Sequence, residues 1–257
     1  MQSLAHDGVK LCFKEAGTGG PSLLLVHGWT CDHSYMAPQF AQLQKEHRVI
    51  AVDLRGHGQS DKPEQDYSVQ AFAEDLVWLC DQLCVQKPVV IGHSMGGVIA
   101  VGLAALFPDM PSAIVTLDSP IVPPHALLDA TAPLVTALKT PQYSEAQRQF
   151  VSNALFLSTD DQARKAQILD DMSSAPQHVM SSAFDGGILC DTESMVQKCQ
   201  VPLLVLLAAQ SLSDVPRLQK LCPKAVIGQT VGAGHFHQLE VPEQVNAMLE
   251  RFLTTSV

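Results

Sequence analysis

Pro88-Val89-Val90-Ile91-Gly92-His93-Ser94-Met95-Gly96-Gly97 decides how this chain folds. A short apolar run leads into a serine flanked by glycines, and a mostly apolar helical pattern, Met95–Phe107, follows and is ended by Pro108. This is G-x-S-x-G in a strand–turn–helix setting. A serine at the tip of a very tight turn needs neighbours without side chains, so that its hydroxyl projects freely. The helix that starts there points its first amides at any oxyanion that develops. Ser94 is therefore the candidate nucleophile, and the amide of Met95 a candidate oxyanion donor.

Outward from this stretch, further apolar runs recur at Ser22–Val26, Arg48–Leu54, Ala113–Leu117, Pro202–Ala208 and Ala225–Val231. Rich in Val, Ile and Leu without polar alternation, they read like Pro88–Ile91, as strands buried on both faces of a parallel sheet. Val9, Leu11 and Phe13 alternate with polar residues and read as an outer antiparallel strand. In Ser68–Cys84 the residues Val69, Phe72, Leu76, Leu79 and Leu83 recur at helical spacing, with Ser68 placed as the cap. Strands alternating with helices predict a doubly wound α/β fold. From Ile121 to Lys198 the rhythm breaks: helical segments such as Glu145–Leu157 and Asp161–Met172 are punctuated by prolines, with no strong strand. We expect residues 1–120 and 199–257 to form the core and residues 121–198 a helical cap over the carboxyl edge of the sheet, where open α/β sheets bind ligands.

Two more motifs fall at strand ends. His27-Gly28-Trp29 follows Ser22–Val26, and the Trp29 amide is a candidate to complete an oxyanion hole with that of Met95. Gly232-Ala233-Gly234-His235 follows the last run. A serine nucleophile needs a base with a near-neutral pKa, and among ten histidines His235 has a glycine-flanked loop setting at a strand end that permits side-chain exposure, with His237 as its competitor. Together with Asp53-Leu54-Arg55-Gly56-His57-Gly58-Gln59-Ser60, these motifs make the chain resemble the α/β-hydrolase superfamily over nearly its whole length outside the cap. In that family the D-x-R-G-x-G-x-S stretch is a structural loop, which implies a scaffold role for Arg55.

The same resemblance frames the acid. Family members often carry it shortly after the strand matching Pro202–Ala208, but here that segment reads Ala208-Ala209-Gln210-Ser211-Leu212-Ser213-Asp214, with Ser211 where an aspartate is expected. Another branch, containing small acyl esterases and cofactor-free dioxygenases, places the acid one strand earlier, and Asp118-Ser119-Pro120 matches that position. Asp118 is the expected acid and Ser211 a candidate extra hydrogen-bond partner of the histidine. Asp214 reads as a helix cap.

The bulk composition narrows the function classes. The formal net charge of −10 and the lack of any Lys/Arg-rich run argue against nucleic acid or an anionic membrane as partner. No apolar run approaches a membrane span. Seven scattered cysteines, odd in number and without a C-x-x-C pair, suggest neither a zinc site nor a redox motif, and free thiols favour the cytoplasm. The expectation is a serine hydrolase, carboxylesterase-like, that needs no metal or organic cofactor. It would act on a carboxylic ester, thioester or lactone whose apolar acyl part meets cap residues such as Leu134, Phe150, Phe156 and Phe184. Two alternatives use the same fold chemically: a carbon–carbon bond hydrolase with the same triad, and a cofactor-free dioxygenase in which His235 and Asp118 are the base pair. A catalytically inactive binding module is the alternative outside enzymology.

Overall fold

Five of the six apolar runs become inner strands of one eight-stranded sheet, in a computed structural model that describes all 257 residues; the sixth, Ala225–Val231, gives an edge strand instead, with Val226 and Val231 exposed rather than buried on both faces. The chain opens with β1 (Gln2–His6) and β2 (Val9–Ala16), which form an antiparallel hairpin. Strands β3 (Leu23–Val26), β4 (Val49–Asp53), β5 (Val89–His93) and β6 (Ala113–Leu117) then alternate with helices α1 (Ala37–Leu43), α2 (Val69–Gln82) and α3 (Met95–Leu106). Five helices follow without an intervening strand: α4 (His125–Ala137), α5 (Tyr143–Ala154), α6 (Gln162–Ser173), α7 (Gln177–Gly187) and α8 (Thr192–Lys198). The chain closes with β7 (Leu203–Leu207), α9 (Val215–Leu221), β8 (Val226–Gln229), α10 (His237–Glu240) and α11 (Pro242–Ser256).

The strand order is β1-β2-β4-β3-β5-β6-β7-β8. The pairings of β2 are antiparallel and every other inner pairing is parallel. Burial on both faces explains why the runs of β3 to β7 are continuously apolar. Leu23, Leu25, Val89 and Ile91 face a layer holding Phe40 and Leu43 of α1 and Val245 and Leu249 of α11. Their neighbours Leu24, Val26 and Val90 face the opposite way, onto Phe72 and Leu76 of α2 and Val98 and Val101 of α3. The period of two along each strand thus feeds two separate cores.

Local signals agree with this layout. Ser68 caps α2 by accepting from the Ala71 amide at 3.2 Å, a bond whose loss costs about 1 kcal/mol. Arg55 is spent on α2, donating from Nε and Nη2 to the two carboxylate oxygens of buried Asp75. Strand β1 went unread because its residues are mostly exposed and carry no apolar run. No helix is long and apolar enough to cross a membrane.

Candidate active site

Ser94 sits between β5 and α3 with φ 55° and ψ −120°, a left-handed conformation that costs a non-glycine residue about 1–3 kcal/mol. Surrounding packing holds it there. The Ser94 amide donates to the Leu117 carbonyl at the end of β6, at 2.9 Å. Gly96 lets α3 press against β3: a Cβ on it would lie 2.3 Å from the Val26 carbonyl oxygen and 2.5 Å from that of His27. Only a residue without a side chain allows that approach, so Gly96 sets how far the elbow and its serine can be driven up to the carboxyl edge.

Asp118 directly follows β6. It too is left-handed (φ 40°) and is 1% exposed. Its Oδ1 accepts from the Ala208 amide at 3.1 Å and its Oδ2 accepts from His235 Nδ1 at 2.7 Å. A carboxylate at Nδ1 fixes the tautomer with the proton there and leaves Nε2 as the basic nitrogen. His235 and Ser94 line the same cavity. His237 is placed differently: its Nδ1 bonds Thr230 Oγ1 at 2.9 Å and burial pushes its imidazole down to about 4. Asp214 caps α9, accepting from the Arg217 amide at 3.1 Å. Ser211 turns its hydroxyl onto Ser213, donating to the carbonyl and accepting from the amide, both at 3.0 Å; no bond runs from it to His235.

Of the two amides expected to hold an oxyanion, that of Trp29 has no acceptor within the protein. Met95 is the first residue of α3, whose leading amides have no partner in the helix. The Trp29 side chain does something separate. Its Nε1 donates to the Met180 carbonyl of α7 at 3.0 Å and its ring lies 4.8 Å from that of Phe184. His27 is structural: its Nδ1 donates to the Gly28 carbonyl and its Nε2 accepts from the Leu54 amide.

Leu127, Leu128, Phe150, Met172, Phe184 and Ile188 from α4 to α7 and the turn after α7 form much of the wall of the cavity over Ser94. No Lys, Arg, Asp or Glu lines it. Of the cap side chains expected there, Phe150 and Phe184 are present. Leu134 is instead buried in the core at 5% exposure, and Phe156 stacks on Phe236, the residue after His235, at 5.2 Å. Their apolar character alone does not show which face the cavity, and Phe156, expected within a helical segment Glu145–Leu157, falls in the turn after α5.

Sequence reasoning also missed His93, although it lies inside the serine motif. Its ring is fully buried, and Nε2 donates to the His235 carbonyl at 3.0 Å. Burial, reinforced by the neighbouring His235, pushes its imidazole well below the ordinary range, so it stays a neutral donor. A second polar cluster, Asp32, His33 and Asp53, brings potential metal-binding atoms within 4.8 Å of one another. Its acceptors are already used: Asp53 receives the amide and Nδ1 of His33 and the Gln59 amide, each at 2.8 Å. Burial pushes the Asp53 carboxyl up, but the His33 bond and the other contacts outweigh it and hold the group at about 2. This cluster ties two loops together.

A family model described as alpha/beta hydrolase fold matches residues 21–242. The chain is 28% identical to an uncharacterised protein of Mycobacterium tuberculosis, over all of this chain and 82% of that one. Among solved structures, it matches the enol-lactonase from Burkholderia xenovorans LB400 with a TM-score of 0.84 at 23% identity, covering 98% of this chain and 100% of that one. It matches an N-acyl homoserine lactone degrading enzyme with the same TM-score at 26% identity, again over 98% and 100% of the two chains.

Proposed function

Because the chain belongs to the α/β-hydrolase fold family, we propose that it cleaves a carboxylic ester, thioester or lactone through an acyl-enzyme on Ser94. The observation that carries this reading is the buried 2.7 Å Asp118–His235 pair, set beside a backbone-strained serine that lines the same apolar cavity. Ser94 Oγ attacks the acyl carbon while its proton passes to His235 Nε2. The amides of Trp29 and Met95 hold the resulting oxyanion. As the tetrahedral species collapses, the bond to the leaving oxygen or sulfur breaks and that atom takes the proton from His235. Water then gives a proton to His235, attacks the acyl carbon and releases the acid, and Ser94 recovers its proton. Asp118 keeps the imidazole in the required tautomer and stabilises its charged form.

The likeness to an N-acyl homoserine lactone degrading enzyme supports keeping lactones among the substrates. The apolar wall supports a neutral acyl part. Seven free cysteines fit a reducing compartment such as the cytoplasm. The test is turnover of p-nitrophenyl acyl esters and of an acyl lactone by the native protein and by Ser94→Ala. Loss of the nucleophile should lower kcat by several orders of magnitude, because triad members act as one unit. A variant keeping more than about a tenth of native turnover removes Ser94 from the chemistry. Dioxygen consumption that survives the substitution would move the protein to the oxygenase reading.

A further inference from the structure

The loop that carries His235 is gripped from above by one short cap segment, the turn between α5 and α6. Three successive residues of the loop each meet it. The Gly234 amide donates to Asp160 Oδ1 at 3.0 Å. The His235 amide donates to the Leu155 carbonyl at 3.0 Å. Phe236 stacks on Phe156 at 5.2 Å with the rings 30° apart. Asp160 is 5% exposed, and its other oxygen accepts from the Leu157 amide at 2.7 Å, which folds the cap turn into the shape that presents the Leu155 carbonyl. The approach is close enough to exclude any side chain at position 234. A Cβ there would lie 2.5 Å from Asp160 Oδ2 and 3.0 Å from the Leu155 carbonyl oxygen.

The other side of the loop is tied to the core, through His93 at the His235 carbonyl and Asp118 at Nδ1. The base therefore hangs between the sheet and the cap. A buried carboxylate accepting two amides is a strong, directional anchor, and a displacement of about 1 Å at a reacting group can cost on the order of 10²-fold in rate. Leu155 adds a route from substrate to base, because it lines the cavity and also accepts from the His235 amide.

We infer that Asp160 is a positioning residue for His235: through Gly234 and the turn that presents Leu155, it holds the base loop in register with Asp118 and Ser94. This rests on the proposed role of His235 as base. The end of the cap at residues 155–160 is accordingly a fixed anchor, and any opening that admits substrate belongs to its other helices.

The experiment uses the full chain with Asp160→Ala, the isosteric Asp160→Asn, and Gly234→Ala, which disturbs the grip without altering the carboxylate. The first readout needs no substrate. In proton NMR the His235 Nδ1 proton, held at 2.7 Å by a buried carboxylate, gives a downfield signal that Asp118→Asn identifies by abolishing or displacing it. Asp160→Ala and Gly234→Ala should broaden that signal by faster exchange, with Asp160→Asn intermediate because its carbonyl replaces only one of the two acceptors. In ester turnover, Asp160→Ala should lower kcat about tenfold to a hundredfold while KM changes less than about threefold, since the apolar lining that binds the acyl group is untouched. Loosened pairing with Asp118 should also move the acid limb of kcat/KM to lower pH. An unchanged Nδ1 signal with kcat within about twofold of native overturns the inference. So does a loss confined to melting temperature, or a fall in kcat with the acid limb in place. If Asp160→Ala does not fold, Asp160→Asn and Gly234→Ala decide on the same readouts. Ser94→Ala run alongside keeps the readings apart: if it retains turnover, the serine mechanism fails, whereas if it is dead and the Asp160 and Gly234 variants match native, only the positioning role fails.

Discussion

Asp118 and Asp214 are both carboxylates that follow inner strands, and their surroundings divide them. Asp118 is buried with one oxygen on His235 and the other on the Ala208 amide, whereas Asp214 is half-buried and satisfies the first turn of α9. Asp118→Asn should lower kcat by a factor on the order of 10⁴, the loss expected when a base is left in the wrong tautomer, with little change in melting temperature. Asp214→Ala should do the opposite: activity near native and a loss of about 1 kcal/mol in stability, as for any removed cap. Turnover and thermal melts on the two variants check this, and a dead Asp214→Ala beside an active Asp118→Asn would contradict it. Ser94, Asp118 and His235, the residues of the proposed mechanism, were legible as candidates because each follows a strand run and, for Ser94 and His235, stands in a glycine-marked pattern. His93 and Asp160 were not. Their bonds to the base loop span 142 and 74 positions, and no local pattern records which atoms meet across such a separation.

Among the elements, the five inner strands β3 to β7 were legible because burial on both faces leaves a continuous apolar run, and α2 because Ser68 and its apolar stripe mark start and face together. Strand β1 was not, since its pairing with β2 is made by backbone groups that leave no trace in side-chain chemistry. The cap was legible as helical but not as a lining: an apolar residue serves equally in a helix packing inward, as Leu134 of α4 does, in a cavity wall, or in the turn after α5, where Phe156 lies. Phe150 lies at that wall, edge-on to Phe184 with ring centroids 6.2 Å apart. Phe150→Ala should shift preference toward longer acyl chains and lower KM for them, measured across a p-nitrophenyl ester series; an unchanged profile would remove α5 from the acyl site. The wall offers no cation, so a hemisuccinate-type ester must bury an unpaired carboxylate at a cost of several kcal/mol. Its kcat/KM should fall at least about 10²-fold below that of a neutral ester of equal length, and comparable rates would mean that the acyl group binds elsewhere.

The whole molecule should be labile to acid in a definite window. Burial pushes His57 down to about 3 and His237 to about 4, against an ordinary 6.5. Between those values the unfolded chain binds protons that the folded one refuses, so stability present in full above about 6.5 drains away as pH falls toward 4 and then 3. Asp53, at about 2 against 3.8, adds stability that is held above 3.8 and lost between 3.8 and 2. Acid also neutralises part of the net charge of −10, which relieves self-repulsion and acts in the opposite direction. A melting temperature that is flat from pH 7 to 8 and falls steadily below about 6.5 follows if the buried histidines dominate. His57→Asn, which retains a donor for the Arg55 carbonyl, should flatten part of that fall; a melting temperature unchanged down to about pH 4 would contradict the account. The claim on which everything else depends is that this chain has one activated serine. A fluorophosphonate, which phosphonylates only an activated hydroxyl, tests it most directly when the labelled intact protein is weighed and its peptides mapped. One adduct per chain on the peptide containing Ser94, lost in Ser94→Ala and slowed in Asp118→Asn, is the predicted result; an unlabelled protein that still hydrolyses esters, or a label on any other residue, would contradict it.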